Sequence, residues 1–441
     1  MYVCSMTSVL RFQIKLREVV TLPQRSQGSR VVIIALALML GLSLQGLAKT
    51  SIVHWQHTSP ARDTMVNLLA HEYMQAHPDV EIEVETFPLA DFLDKLTVSL
   101  AAGVGPDTVQ VRSTWVSWLA QSGALQPLSS KLITADELER EFIPGGIAPM
   151  KLDGQYFALP TDTQTIVLFY QPHLFEEAGL DSGKPPQTWD ELVRSGRKIH
   201  RRDAENVTQV MGVATGGYAP VLLSLMAQAG ATLWDENTSL PVFNTPEVAT
   251  GFRFATDLVT EHGIEDRAFG SRWTAFRNEK LAMVYAHPAM RGSFLRTHPD
   301  LQFRIVEIPA PVEDGSQAGL VTTWALGVTR KADVDAATSW LMYHQSAESQ
   351  ERWLEETGEL PTRWQVIKQP KFQRDPDTRH IMYSLTRAVG VPWMSDAIVD
   401  SLVGGAWRKV TNLEASPEAA LQDLHLQACV EEERVRSERI K

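Results

Sequence analysis

The chain has 441 residues, 44% of them hydrophobic and 21% charged, a balance that excludes a disordered or low-complexity protein and gives length for two or more domain-sized units. Its 41 basic and 53 acidic residues leave a formal net charge of −12, which argues against nucleic acid and anionic membrane surfaces as partners.

Residues 1–48 stand apart from the rest. Arg11, Lys15, Arg17, Arg25 and Arg30 precede an apolar run from Val31 to Leu44, and Gly46-Leu47-Ala48 offers small residues where a signal peptidase cuts. This is the pattern of a secretory signal peptide, with a mature chain beginning near Lys49. An uncleaved membrane anchor is the alternative, because residues 31–48 approach the roughly 18 apolar residues at which a span begins. The two cysteines are Cys4 and Cys429, so cleavage leaves one thiol, no internal disulfide and no N-terminal cysteine to accept a lipid. A soluble periplasmic location follows as the expectation.

After the leader, Ser51 to Trp55 reads as a short strand, followed by a polar turn over residues 56–60. A helix with Met65, Leu68, Leu69, Tyr73 and Ala76 on one face comes next, and Val80, Ile82 and Val84 alternate with Glu81, Glu83 and Glu85 as a half-exposed strand. This is a βαβ unit. A helix from Leu89 to Ala102 stops at Gly103-Val104-Gly105-Pro106, and Asp107 to Val111 forms the next strand, with Arg112 to Trp115 as the turn at its end. Thr134 with Glu137, and Thr188 with Glu191, match the capping box; Thr245-Pro246 and Ser416-Pro417 place a cap before a first-turn proline. The apolar run Ile166 to Tyr170 has the composition of a strand buried on both faces, yet five polar residues, Thr161 to Thr165, lead straight into it. Buried polar groups need partners, and a binding cleft is one place that supplies them. Phe303 to Ile308 and Trp324 to Val328 read as further strands. One helix is expected to carry Ala336, Trp340, Ala347 and Leu354, and beyond Pro361 the chain reads as helical, with a break at Gly404-Gly405.

The sequence contains no G-x-S-x-G, P-loop or dinucleotide-binding pattern. His71 and His77 are six residues apart instead of four, so they do not make a zinc-protease pair, and His54 with His57 lacks a defined third ligand. No metal or cofactor is expected. The 12 tryptophans are more informative. Trp55 adjoins Gln56 and His57, Trp115 follows Arg112-Ser113-Thr114, and Trp324 follows Thr322-Thr323. Sugar rings stack their C–H faces on indoles while their hydroxyls need directional polar partners, so interleaved aromatic and polar residues suit a carbohydrate. Trp189, Trp340 and Trp353 read instead as core and helix packing, and Arg112 and Arg363 serve equally well as structural ion-pair partners.

Gly105-Pro106-Asp107-Thr-Val-Gln-Val, Gly154-Gln155-Tyr156-Phe157-Ala158-Leu159-Pro160, Pro185-Pro186-Gln187-Thr188-Trp189 and Trp324-Ala325-Leu326-Gly327-Val328, with Leu360-Pro361-Thr362-Arg363 after it, occur in an order that resembles the solute-binding proteins of ABC importers. The likeness runs from about Thr50 to Ala428 and is to the sugar-binding group that includes maltose-binding protein. It implies an α/β, two-lobed periplasmic-binding-protein fold of type II character, with a ligand cleft and hinge crossings between the lobes. The implied division is a signal peptide over 1–48, lobe 1 over 49–163 plus 309–357, and lobe 2 over 164–308 plus 358–441. Crossings fall at Thr161 to Thr165, near Pro309 and over Gly358 to Pro361, with Arg363 just inside lobe 2. The implied function is a non-enzymatic, monomeric carrier that passes a carbohydrate to a membrane permease. The candidate ligand-binding residues are Gln56, His57, Arg112, Trp115, Asp162, Gln164, Tyr218, His287, Thr323, Trp324 and Arg363. Ala289 follows Pro288 where maltose-binding protein has a stacking tryptophan, so maltose itself is not implied. The same fold holding glycerol 3-phosphate through Arg112 and Arg363, and an exported hydrolase, are the alternatives.

Overall fold

The computed structural model describes residues 49–235, 237–391 and 396–439. The leader expected over residues 1–48 lies outside the described residues. Among the described residues no helix is long and apolar enough to cross a membrane.

Two sheets organise the chain from Thr50 onward. The first has seven strands, running Leu360–Pro361, Ala158–Gln164, Thr322–Thr329, Thr108–Arg112, Thr50–His57 and Val80–Phe87, with Leu125–Gln126 paired onto Thr322–Thr329. Thr50–His57 is parallel to both of its neighbours, which establishes the βαβ unit read from the sequence. The helix between, Pro60–Ala76, buries Met65, Val66, Leu69, Ala70 and Tyr73; Leu68 faces solvent instead. The second sheet runs Arg304–Val306, Val167–Tyr170, Leu281–Ala286, Thr208–Ala214 and Arg201–Arg202. Val167–Tyr170 is flanked by antiparallel partners, and its alternate residues enter different cores: Leu168 and Tyr170 one, Val167 and Phe169 the other. That two-sided burial explains an unbroken apolar run.

The chain leaves the first sheet after Gln164, enters the second at Val167, leaves it after Val306 and rejoins the first at Thr322. These two sheets, with helices packed around them, make two α/β lobes joined by chain crossings. The third crossing departs from expectation. Leu360–Pro361 still pairs with Thr163 and Asp162 of the first sheet, and Arg363 bridges to Phe142, which belongs to the first sheet's core. Arg363 therefore stays with the first sheet.

Three local readings also change. Arg112 ends a strand, and the expected turn is the start of a helix, Ser113–Gln121, with Trp115 inside it. The single helix through Trp340 and Leu354 is two, Val334–His344 and Ala347–Thr357, because the Ser346 hydroxyl caps the second by accepting from Ser349 N. Gly404 and Gly405 lie within the helix Asp396–Thr411. A Cβ at Gly404 would meet the Gly217 carbonyl oxygen at 3.2 Å, so the glycine there permits close approach and does not break the helix.

Candidate functional site

Trp324 is the centre of the site. It enters the first sheet directly opposite Asp162 on one side and Arg112 on the other. His57 stacks on its ring at 4.4 Å between centroids, Trp115 meets it edge-on at 5.9 Å, and the guanidinium carbons of Arg112 and Arg62 lie 5.1 and 5.6 Å from its centroid. Packed from behind in this way, the indole has one fixed orientation.

Two adjoining cavities, of about 250 and 460 Å³, share Gln164, Tyr218, His287 and Trp324 as lining. Gln164 and Trp324 belong to the first sheet; His287 directly follows the second sheet's Leu281–Ala286, and Tyr218 caps the helix Ala219–Gln228 beside it. The smaller cavity adds Arg112, Thr114 and Asp400, and the larger adds Arg62, Arg272, Trp273 and Glu359. The site thus lies between the sheets, where small-molecule sites form.

The histidines at this site are held neutral. Burial pulls His57 down to about 4, with the charges of Arg62 and Arg112 acting in the same direction against a hydrogen bond to Gln110. Since the Gln110 carbonyl oxygen, 2.7 Å from His57 Nδ1, can only accept, Nδ1 carries the proton. Burial also lowers His287. Its Nδ1 donates to Thr165 O at 3.0 Å, which leaves Nε2 to accept from the Tyr218 hydroxyl at 3.0 Å.

Beneath the cavities a charge cluster fixes the polar groups. Arg62 donates to Asp162 at 2.8 Å and contacts Glu359 at 3.1 Å, while Gln164 Nε2 donates to the other Glu359 oxygen. Burial pushes Asp162 upward, against the pull of Arg62. Across the cavity, buried Glu265 accepts from Thr215 N, Gly216 N and the Thr215 hydroxyl at 2.7–3.0 Å, tying down the turn that presents Tyr218. Arg272 donates to Thr215 O and lies 5.1 Å over the Tyr218 ring. Among the described residues, no group of three or more His, Cys, Asp or Glu side chains is placed to hold a metal ion.

Of the residues singled out from the sequence, Arg112, Gln164, Tyr218, His287 and Trp324 line the cavities. Six do not. Gln56 is buried and donates to Asp63 at 2.9 Å; His57 and Trp115 support Trp324 from behind; Thr323 is buried against Thr163 at 3.1 Å. Asp162 is fully buried, with Arg62 and the Thr161 hydroxyl as partners. Arg363 pairs with Glu141 and donates to Gln345 O, away from the cavities. The polar run Thr161 to Thr165 is thus satisfied mostly inside the sheet, and of its members Gln164 reaches the cleft.

Arg62, Glu359, Arg272 and Trp273 were not singled out from the sequence. Arg62 carried a signal: a cation in the first turn of a helix opposes the helix dipole and requires a local anion to hold it. Glu359 lay within the expected crossing over Gly358 to Pro361 without being singled out from it, and the pairing of Leu360–Pro361 with Ala158–Gln164 brings it to Gln164.

The chain matches the family described as bacterial extracellular solute-binding protein over residues 58–351. It is 25% identical over 347 residues to a maltotriose-binding protein of Pyrococcus abyssi, covering 77% of this chain and 71% of that protein. It is 26% identical over 357 residues to an arabinooligosaccharide-binding protein of Halalkalibacterium halodurans, covering 77% of each. Among solved structures, the sugar-binding protein MalE of Xanthomonas citri superposes with a TM-score of 0.76 at 20% identity, over 88% of this chain and 98% of that one. Family match, sheet order and interlobe cavity agree, and the chain belongs to the bacterial extracellular solute-binding proteins.

Proposed function

We propose that this chain is the carbohydrate-binding component of an ABC importer, taking up a mono- or oligosaccharide between its lobes and delivering it to membrane permease subunits. The observation that carries the reading is the Trp324 indole, fixed from behind and lining both cavities, with Gln164, Tyr218 and His287 around it. An apolar platform ringed by directional polar groups matches the two faces of a sugar. The oligosaccharide-binding relatives support the same ligand class. The protein acts without chemistry of its own: it is exported, cut before Lys49, and works as a monomer whose hinge segments, at residues 165–166, 307–321 and beyond Arg363, let the lobes close.

A thermal-shift screen against malto- and arabino-oligosaccharides, single hexoses and glycerol phosphates tests the ligand class. A true ligand at 100 times its dissociation constant adds about 2.7 kcal/mol to folded-state stability. Stabilisation by none of the sugars refutes the proposal, as does turnover of chromogenic glycosides. The intact mass of the exported form tests the cleavage.

A further inference from the structure

We propose that Glu359 is the carboxylate that reads ligand hydroxyls in this site, and that it biases the site toward neutral polyols and against phosphate. The inference rests on the carbohydrate reading above and names the residue that enforces it. An acidic side chain is the natural acceptor for sugar hydroxyls, and the sequence offers Asp162 at the crossing. The geometry gives that role to another residue. Asp162 is fully buried, lines neither cavity, and has its oxygens engaged by Arg62 and the Thr161 hydroxyl. Glu359 lines the larger cavity with its side chain 23% exposed.

Glu359 is also held in place. It follows Gly358, whose left-handed φ of 73° ends the helix Ala347–Thr357, and its own N–H donates to the Thr357 hydroxyl at 3.1 Å. One carboxylate oxygen faces Arg62 and the other accepts from Gln164 Nε2. A carboxylate offers about four lone-pair sites, so two remain for ligand hydroxyls. Asp162 then acts through Arg62 as a positioning residue.

The charges decide which ligand fits. Arg62 is shared between two carboxylates, Asp162 and Glu359, and so has no positive charge left over for an anion. Arg272, the other guanidinium of the larger cavity, is turned to the protein, donating to Thr215 O and lying over the Tyr218 ring. A phosphate placed here would face the Glu359 carboxylate, whereas neutral hydroxyls can donate to it.

The test is calorimetric titration of wild type, Glu359→Gln and Glu359→Asp with maltotriose, arabinotriose and sn-glycerol 3-phosphate, with unfolding midpoints measured in parallel. Wild type is expected to bind a sugar more tightly than the phosphate. Glu359→Gln should weaken the sugar about 10- to 150-fold, the span of one charge-assisted hydrogen bond, while tightening the phosphate. Opposite responses separate hydroxyl reading from general damage, which weakens both ligands. Glu359→Asp keeps the charge and shortens the reach, so it should weaken the sugar and leave the phosphate unchanged; it carries the test alone if the Gln variant fails to fold. Sugar affinity unchanged in the variants, or both ligands moving in the same direction, overturns this inference and leaves the carbohydrate reading standing. A wild type that binds no sugar, or prefers the phosphate, overturns both.

Discussion

Replacing Trp324 with alanine tests the centre of the site through two coupled readouts. The indole is 9% exposed, so truncation removes most of a side chain that buries roughly 150–250 Å², and large-to-small core changes of this kind cost about 3–5 kcal/mol. The second readout is pH. His57 lies under the ring and is pulled down to about 4 by burial, from an ordinary value of 6.5. Below pH 6.5 the unfolded chain takes up a proton that the folded chain refuses, so His57 makes the wild type lose stability as pH falls from 6.5 toward 4. At about 1.36 kcal/mol per unit, the loss at pH 5 is at most about 2 kcal/mol. Removing the indole opens His57 to water and returns it toward 6.5, which abolishes that loss. The Trp324→Ala penalty should therefore be smaller at about pH 5 than at about pH 7.5, by up to about 2 kcal/mol. Urea denaturation of both proteins at both pH values measures it. A penalty that is the same at both, or below about 1 kcal/mol at neutral pH, refutes the packing of His57 on Trp324.

Trp324→Phe keeps an aromatic face and should retain measurable sugar binding where Trp324→Ala loses it; calorimetry that finds the two alike removes stacking from the account. Gly217→Ala should destabilise by about 1–3 kcal/mol, because φ is +59° and the new Cβ would lie 2.4 Å from the Trp407 ring; an unchanged unfolding midpoint contradicts this. Arg363→Met should lower stability by about 1–3 kcal/mol through its lost bonds to Glu141 and Gln345 and leave sugar affinity unchanged; weaker binding with normal stability returns Arg363 to the site. Saturating sugar should reduce the radius of gyration by closing the lobes, and scattering curves that overlay with and without it argue against a hinge.

The sequence by itself determined those elements whose signals are local. Alternation in residues 80–84, the apolar run 167–170 and the caps at Thr134, Thr188 and Thr245 depend on near neighbours, and local preference sets them. The aromatic and polar pattern brought Trp324 and Gln164 forward as candidates and the family resemblance added Tyr218 and His287, and the structure lines a cavity with all of them. Which carboxylate faces that cavity was decided only by tertiary structure. Asp162 and Glu359 look alike in sequence, but the strand holding Asp162 is enclosed between Thr322–Thr329 and Leu360–Pro361, and its carboxylate is claimed by an arginine 100 positions earlier. Glu359 sits one residue before the paired strand, at the sheet's edge, and keeps an exposed side. The same limit applies to Arg363, Gln56 and Thr323, polar residues beside promising tryptophans and prolines that fold inward to satisfy the core. A polar side chain near a cleft is spent on whichever partner comes first, and partners brought in from distant parts of the chain leave no trace in local sequence.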